Sequence, residues 1–234
     1  MNETNSILDA IGNTSLVALR NIVPPDCAQI FVKLEWENPT GSMKDRAARS
    51  MITQAEEDGR LKPGDAVVEY TGGSTGISLA LICGAKGYPL KIVTSDAFSE
   101  DKLLQMRAFG ADLTLVPSEG GLTTKKLILD MIAAAEEIAR QPGHFRTDQL
   151  NNHDSIAGYH PLGEEIWQQT GHCVDAFVHS VGTAASIRGV STILKKYNPS
   201  ITTVAVEPGE SPVLSGGKPQ VNSQQAGMMG RRPA

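Results

Sequence analysis

Cysteine is scarce in this protein: Cys27, Cys83 and Cys173 are the three in 234 residues. Odd in number and far apart, they fit neither a zinc pattern nor a disulfide framework, and no metal-ligand set is expected. Each reads as a small core residue rather than a nucleophile, and a reducing cytoplasm is the simplest setting. Basic charge is not in excess either. Lys and Arg number 21 against 26 Asp and Glu, so the net charge of −5 offers no footprint for nucleic acid. No apolar run reaches the roughly 20 residues that span a bilayer. The polar opening Met1-Asn2-Glu3-Thr4-Asn5-Ser6 is not that of a secretory signal. Repeats and long low-complexity segments are also missing. What remains is 40% hydrophobic and 20% charged, ordinary for a globular protein. It is long enough for one large domain or two small ones with a real core.

Short apolar runs alternate with longer amphipathic ones. Strands are expected at 30–34, 66–70, 90–95, 113–116, around Phe145, and at 175–181 and 202–206. Helices are expected at 44–58, 74–86, 99–109, 123–140, 154–170 and 184–197. Gly59, Gly87 and Gly110 fall just past helix ends, where a left-handed residue is needed. Such βα alternation with apolar strands defines an α/β protein with mostly parallel sheets. A boundary fits the turn residues Gln141-Pro142-Gly143. The organisation read from the sequence is 1–148 with the lysine and substrate loops, 149–219 with the phosphate loop, and an irregular tail over 220–234.

Lys44 lies in Asn38-Pro39-Thr40-Gly41-Ser42-Met43-Lys44-Asp45-Arg46, after a tight turn and at the start of a helix. Ser42 and Asp45 have the spacing of a capping box, which would fix the helix start and so aim the lysine. A desolvated lysine can lose its proton and attack a carbonyl; the plainer reading is a solvated lysine on a first turn. Two further strand-to-helix turns carry chemistry. Ser180-Val181-Gly182-Thr183-Ala184-Ala185-Ser186 offers N–H groups, hydroxyls and a helix N-terminus for a phosphate. Thr71-Gly72-Gly73-Ser74-Thr75-Gly76 offers the same elements for a carboxylate, against the alternative of an ordinary N-cap at Ser74. His153 and His160 read as surface or capping residues.

Asn-Pro-Thr-Gly-Ser-Met-Lys-Asp-Arg resembles the lysine motif of the fold-type II pyridoxal-phosphate enzymes, the cysteine synthase and cystathionine β-synthase group. Ile11-Gly12-Asn13-Thr14 and the segment from Val206-Glu207-Pro208-Gly209 to Lys218 resemble the same family, in register from about Ile7 to Pro219. The resemblance implies two three-layer α/β domains of the tryptophan synthase β-like fold, with the earliest residues crossing into the second sheet. It implies pyridoxal 5'-phosphate on Lys44. It also implies β-replacement of O-acetylserine by sulfide, through a Lys44 aldimine and an aminoacrylate, to give cysteine and acetate. Gly182, Thr183, Ala184, Ala185 and Ser186 would hold the phosphate, although Ala184 and Ala185 stand where the family has glycine. That exchange is costly only if the loop requires positive φ.

Thr71, Gly73 and Thr75 match the family's carboxylate loop, while Gly72 replaces its Ser and Ser74 its Asn; Ser74 would contact the cofactor ring. Gln149 aligns with a glutamine region that helps hold the carboxylate, with turn chemistry the equal alternative for it and for Asp148. Family members continue past Pro219, so the second domain is expected to be incomplete and the protein shortened at its C-terminal end. A homodimer is implied for a complete protein. Other nucleophiles, β-elimination or deamination, and a non-catalytic fragment remain alternatives.

Overall fold

Strand β3 (Ala66–Tyr70) is buried along its whole length and forms the centre of the main sheet. Its neighbours are β4 (Leu90–Ser95), β5 (Asp112–Val116) and β6 (His144–Arg146), all parallel, in the order β5-β4-β3-β6. Residues 6–218 are described by this computed structural model. The tail expected over 220–234 lies outside them.

Alternation along β3 sends neighbouring valines to opposite faces. Val67 packs with Met51 and Ile52 of α1 (Lys44–Glu57) and with Leu79 and Ile82 of α2 (Ser74–Lys86). Met106 of α3 (Glu100–Ala108) joins that layer. Val68, Tyr70 and Val93 face Leu127, Met131 and Ala135 of α4 (Lys125–Ala139). Helix, sheet, helix is the expected three-layer α/β arrangement. The backbone runs outward from β3 to β4 and β5, then returns to the other side of β3 as β6. The loops after β3 and β6 therefore diverge at a topological switch point, where open α/β sheets form crevices.

A second parallel pair, β7 (Ala176–Ser180) with β8 (Thr202–Val206), carries α5 (Asp154–Ala157), α6 (His160–Gln169) and α7 (Ala185–Tyr197) through a core of Tyr159, Leu162, Val190 and Leu194. Val178, Val204 and Val206 of this pair are exposed. No helix among the described residues is long and apolar enough to cross a membrane.

Three expectations need correction. The helix expected over 154–170 is two helices, broken at Gly158 and Tyr159. A Cβ on Gly158 would lie 2.6 Å from the Arg46 carbonyl oxygen, so α1 packs closely at the break and leaves room only for glycine there. The earliest strand, β1 (Leu16–Leu19), does not join β7 and β8. It pairs antiparallel with β2 (Ile30–Lys33), and the two satisfy each other's ladder. Of the cysteines only Cys83 is buried, with its thiol pushed up to about 12 by burial; Cys27 and Cys173 are exposed.

Candidate active site

Lys44 opens α1, and the turn before it sets where the amine begins. Gly41 closes that turn at φ 75°, its N–H donating to the Asn38 carbonyl at 2.7 Å. The expected capping box does not form. Met43 is the N-cap and bonds no backbone N–H through its side chain, and Ser42 Oγ accepts from the Lys44 N–H at 3.2 Å. Asp45 instead turns back to Thr40, which gives it two donors where Ser42 would give one. Its oxygens accept the Thr40 N–H at 2.9 Å and the Thr40 hydroxyl at 2.5 Å. Thr40 Oγ1 also lies 3.3 Å from Ser78 Oγ, tying the turn to α2.

Two residues beyond the lysine, Arg46 anchors the helix in a buried ion network. Its guanidinium holds Glu35 through Nε at 2.7 Å and Glu165 through Nη1 at 2.7 Å. Lys33 joins Glu165 at 2.7 Å. The Thr14 hydroxyl donates to Glu35 at 2.7 Å, and the Asn13 N–H to Glu165 at 3.0 Å. Gly12 donates to Asn38 Oδ1 at 2.9 Å. Burial by itself would raise the Glu165 carboxyl, but the hydrogen bonds from Arg46 and Lys33 outweigh it and hold the group down to about 2. Thus the Ile11–Thr14 and lysine motifs, distant in sequence, meet in one balanced cluster.

The Lys44 amine has no such partner among the described residues. It is half-buried, and desolvation alone lowers its pKa from the ordinary lysine value. A buried amine without a counter-ion favours its neutral, nucleophilic form. By contrast Lys33 is fully engaged, and Lys218 is exposed.

Two helix N-termini carry the turns expected to bind phosphate and carboxylate. Helix α7 follows β7 through residues 181–184, and its first turn is not capped by any side chain. Gly182 has open space beside it, Ser186 is buried, and no acidic residue occupies the first turn. Ala184 stands at φ 65°, the left-handed region, whereas Ala185 is an ordinary first helical residue. One of the two alanine-for-glycine exchanges is therefore strained, by roughly 1–2 kcal/mol. Ala47 and Met43 of the lysine segment pack into the same cluster as Ala185.

The second N-terminus is that of α2. Gly73 rather than Ser74 is its N-cap, so this end too is free of a capping hydroxyl. Thr71 Oγ1 accepts the Gly73 N–H at 3.2 Å. Gly72 is covered by Phe98, whose ring carbon lies 2.1 Å from where a Cβ would stand. Gln149, in the loop after β6, bridges to this turn. Its Nε2 donates to the Tyr70 carbonyl at 3.1 Å, and its Oε1 accepts the Thr75 hydroxyl at 2.7 Å. Asp148, at φ 47°, accepts from Asn151 within the turn and lies 3.6 Å from Arg146 Nη2.

Three residues that bear on the site escaped the sequence reading. Glu69 lies fully buried under the Gln149 loop. It accepts from the Thr147 hydroxyl at 2.7 Å and the Gln149 N–H at 2.9 Å, and burial pushes its carboxyl up to about 7. His179 bonds Ser186, and Phe98 covers Gly72. A lone charged or titratable residue inside an apolar strand was the available signal for the first two. His153 precedes α5, and His160 opens α6. Two concavities, of about 300 and 380 Å³, include neither Lys44 nor either loop.

A desolvated lysine without a counter-ion, in a fold with two helix N-termini free of side-chain caps, suits an aldehyde cofactor with a phosphate tail. The family model for "Pyridoxal-phosphate dependent enzyme" matches residues 7–233, and the chain belongs to that family. It is 42% identical over 218 residues to a cysteine synthase of Staphylococcus aureus, covering 92% of this chain and 68% of that one. A solved cysteine synthase of Entamoeba histolytica superposes with a TM-score of 0.88 at 37% identity, over 98% of this chain and 68% of the other. A solved O-ureido-L-serine synthase gives 0.85 at 36% identity, over 98% of this chain and 70% of its own.

Proposed function

We propose that this protein performs cysteine synthase-like β-replacement: O-acetylserine and sulfide give cysteine and acetate. The observation that carries the reading is the desolvated, counter-ion-free amine of Lys44, on a helix whose Ala47 packs in one cluster with Ala185 at the start of α7. Lys44 would hold the cofactor aldehyde, and its Nζ amine would take the α-proton of the amino acid. Thr183, Ser186 and the N–H groups of 182–186 hold the phosphate, aided by the α7 dipole. The loop Thr71, Gly72, Gly73 and Thr75, with Gln149, holds the substrate carboxylate and so orients the Cα–H bond. Ser74 would contact the cofactor ring. When bound, pyridoxal phosphate supplies an electron sink for the charge developing at Cα.

The protein divides at about residue 148, with Lys44 supplied by the first part and the phosphate loop by the second. Exposed Val17, Ile30 and Phe31 on the β1–β2 pair are surface of the kind a second copy covers, which supports a homodimer. The setting proposed for it is the cytoplasm.

Borohydride reduction and peptide mapping test the assignment: the pyridoxyl group should sit on Lys44. An adduct on Lys33 or Lys218, or a colourless protein after cofactor addition, would overturn it. A second reading is β-replacement with another nucleophile, or elimination. It is favoured by Gly72 lying under Phe98 where the family has a serine. Product analysis with O-acetylserine and sulfide, against serine alone, decides between the two.

A further inference from the structure

Among the described residues, His179 is the titratable group linked both to Lys44 and to the loop assigned to the phosphate. It lies on the same face of β7 as Phe177, the two rings stacked 5.6 Å apart. Its Nε2 is 2.8 Å from Ser186 Oγ in the first turn of α7, and Ser186 is only 6% exposed. Burial first, and then the charge of Lys44, lower the His179 pKa, with Glu35 opposing. A neutral imidazole carries one proton, on Nδ1 or on Nε2. Ser186 likewise has one proton to give. A phosphate is an acceptor in most of its contacts, so a hydroxyl that binds it must donate. If Ser186 donated to His179, its proton would be turned away from the helix N-terminus.

We propose that His179 is a positioning residue for the cofactor phosphate: its Nε2–H donates to Ser186 Oγ and leaves the Ser186 proton for a phosphate oxygen. This rests on the assignment of 182–186 as the phosphate loop. The imidazole itself touches neither the cofactor aldehyde nor the substrate. It fixes the direction of one hydroxyl, and the Phe177 stack fixes the imidazole.

The test is cofactor affinity of the apoprotein, read by absorbance, with pyridoxal phosphate and with pyridoxal, which lacks the phosphate. Ser186→Ala should weaken pyridoxal phosphate binding about ten-fold, the size of one hydrogen bond to a charged group. His179→Phe, which keeps the ring stack but not the donor, should lose a similar factor, and the double variant no more than either single. His179→Gln, whose amide reaches the place of Nε2, should restore most of the loss. His179→Asn, whose amide reaches only that of Nδ1, should not. Pyridoxal affinity should stay unchanged throughout.

Full affinity in Ser186→Ala sinks the phosphate-loop assignment, and this proposal with it. A loss in Ser186→Ala with none in His179→Phe, or independent losses that multiply in the double variant, sinks the His179 role alone. Equal weakening of pyridoxal and its phosphate ester does the same. If His179→Phe fails to fold, the Gln and Asn variants decide: equal behaviour of the two overturns the role.

Discussion

Thr75 and Gln149, 74 residues apart in sequence, share a hydrogen bond in which the Thr75 hydroxyl donates to Gln149 Oε1 at 2.7 Å. The same Gln149 donates to the Tyr70 carbonyl, so the loops after β3 and β6 are joined at the switch point of the sheet. Gln149→Ala removes both bonds and loosens the loop to which the substrate carboxylate is assigned. We expect KM for the amino acid to rise about ten-fold, with a smaller change in kcat. Steady-state kinetics check this, and a fall in kcat alone would contradict a role in holding the carboxylate.

The strained position in the α7 loop makes a paired prediction. Ala184→Gly relieves the positive φ, partly offset by a freer unfolded state, for a net gain of about 0.5–1 kcal/mol. Ala185→Gly has no strain to relieve and should cost about 0.5–1 kcal/mol as a helical glycine. Urea midpoints of the two variants should move in opposite directions.

Glu69 gives a pH signature. Its folded pKa, about 7, lies above that of an unfolded carboxyl. Its contribution is therefore fully present below about pH 4.5 and is lost as pH rises through 7. Across that window Glu69 gives stability a downward slope. Glu69→Gln should remove that component, which urea unfolding at pH 5, 6 and 7 would detect.

Glu165 acts in the opposite sense. Its pKa is depressed to about 2, so its contribution is present above about pH 4.5 and disappears as pH falls toward 2. Arg46→Met leaves Glu35 buried without its cation and Glu165 with Lys33 alone, and should cost about 3–5 kcal/mol. Thermal melts at neutral pH test the second statement, and acid titration of Glu165→Gln tests the first.

A side chain at position 72 would enter the Phe98 ring, since a Cβ there comes within 2.1 Å of it. Gly72→Ser should destabilise by about 1–3 kcal/mol. Adding Phe98→Ala should recover much of this, a coupling that a double-mutant cycle reads directly. Independent, additive effects would show that the two positions do not compete for the same space.

The local grammar of the sequence was legible. Ala66–Tyr70, Ser74–Lys86, Leu90–Ser95 and Thr202–Val206 coincide with their expected bounds because each apolar run is closed by turn residues or by a left-handed glycine such as Gly87. The helix starts at Lys44, Ser74 and Ala185 were legible to within a residue because small residues mark strand-to-helix junctions. What escaped depends on contacts between distant residues. The break at Gly158 falls where α1 packs too closely for any side chain, and no period in 154–170 announces that. Asp45 chose Thr40 over Ser42 because the turn folded back. Arg46, Glu35 and Glu165 are ordinary charges until the fold buries them together, and His179 is only a strand residue until Ser186 comes beside it.

The Arg46 cluster also sets how the protein can be cut and recombined. Its members come from the first helix, from the segment around residues 12–38, and from α6. A chimera that exchanges residues up to 40 for those of another protein keeps Lys44 and both binding loops, yet inherits new partners for Arg46. Unless the incoming piece brings a carboxylate at 35 and a lysine at 33, the graft leaves the buried Arg46–Glu165 pair without the second acid and second cation that now complete it. Segments that are separable in sequence are thus tied as one unit of exchange, and the natural seam for a functional hybrid lies beyond Glu165.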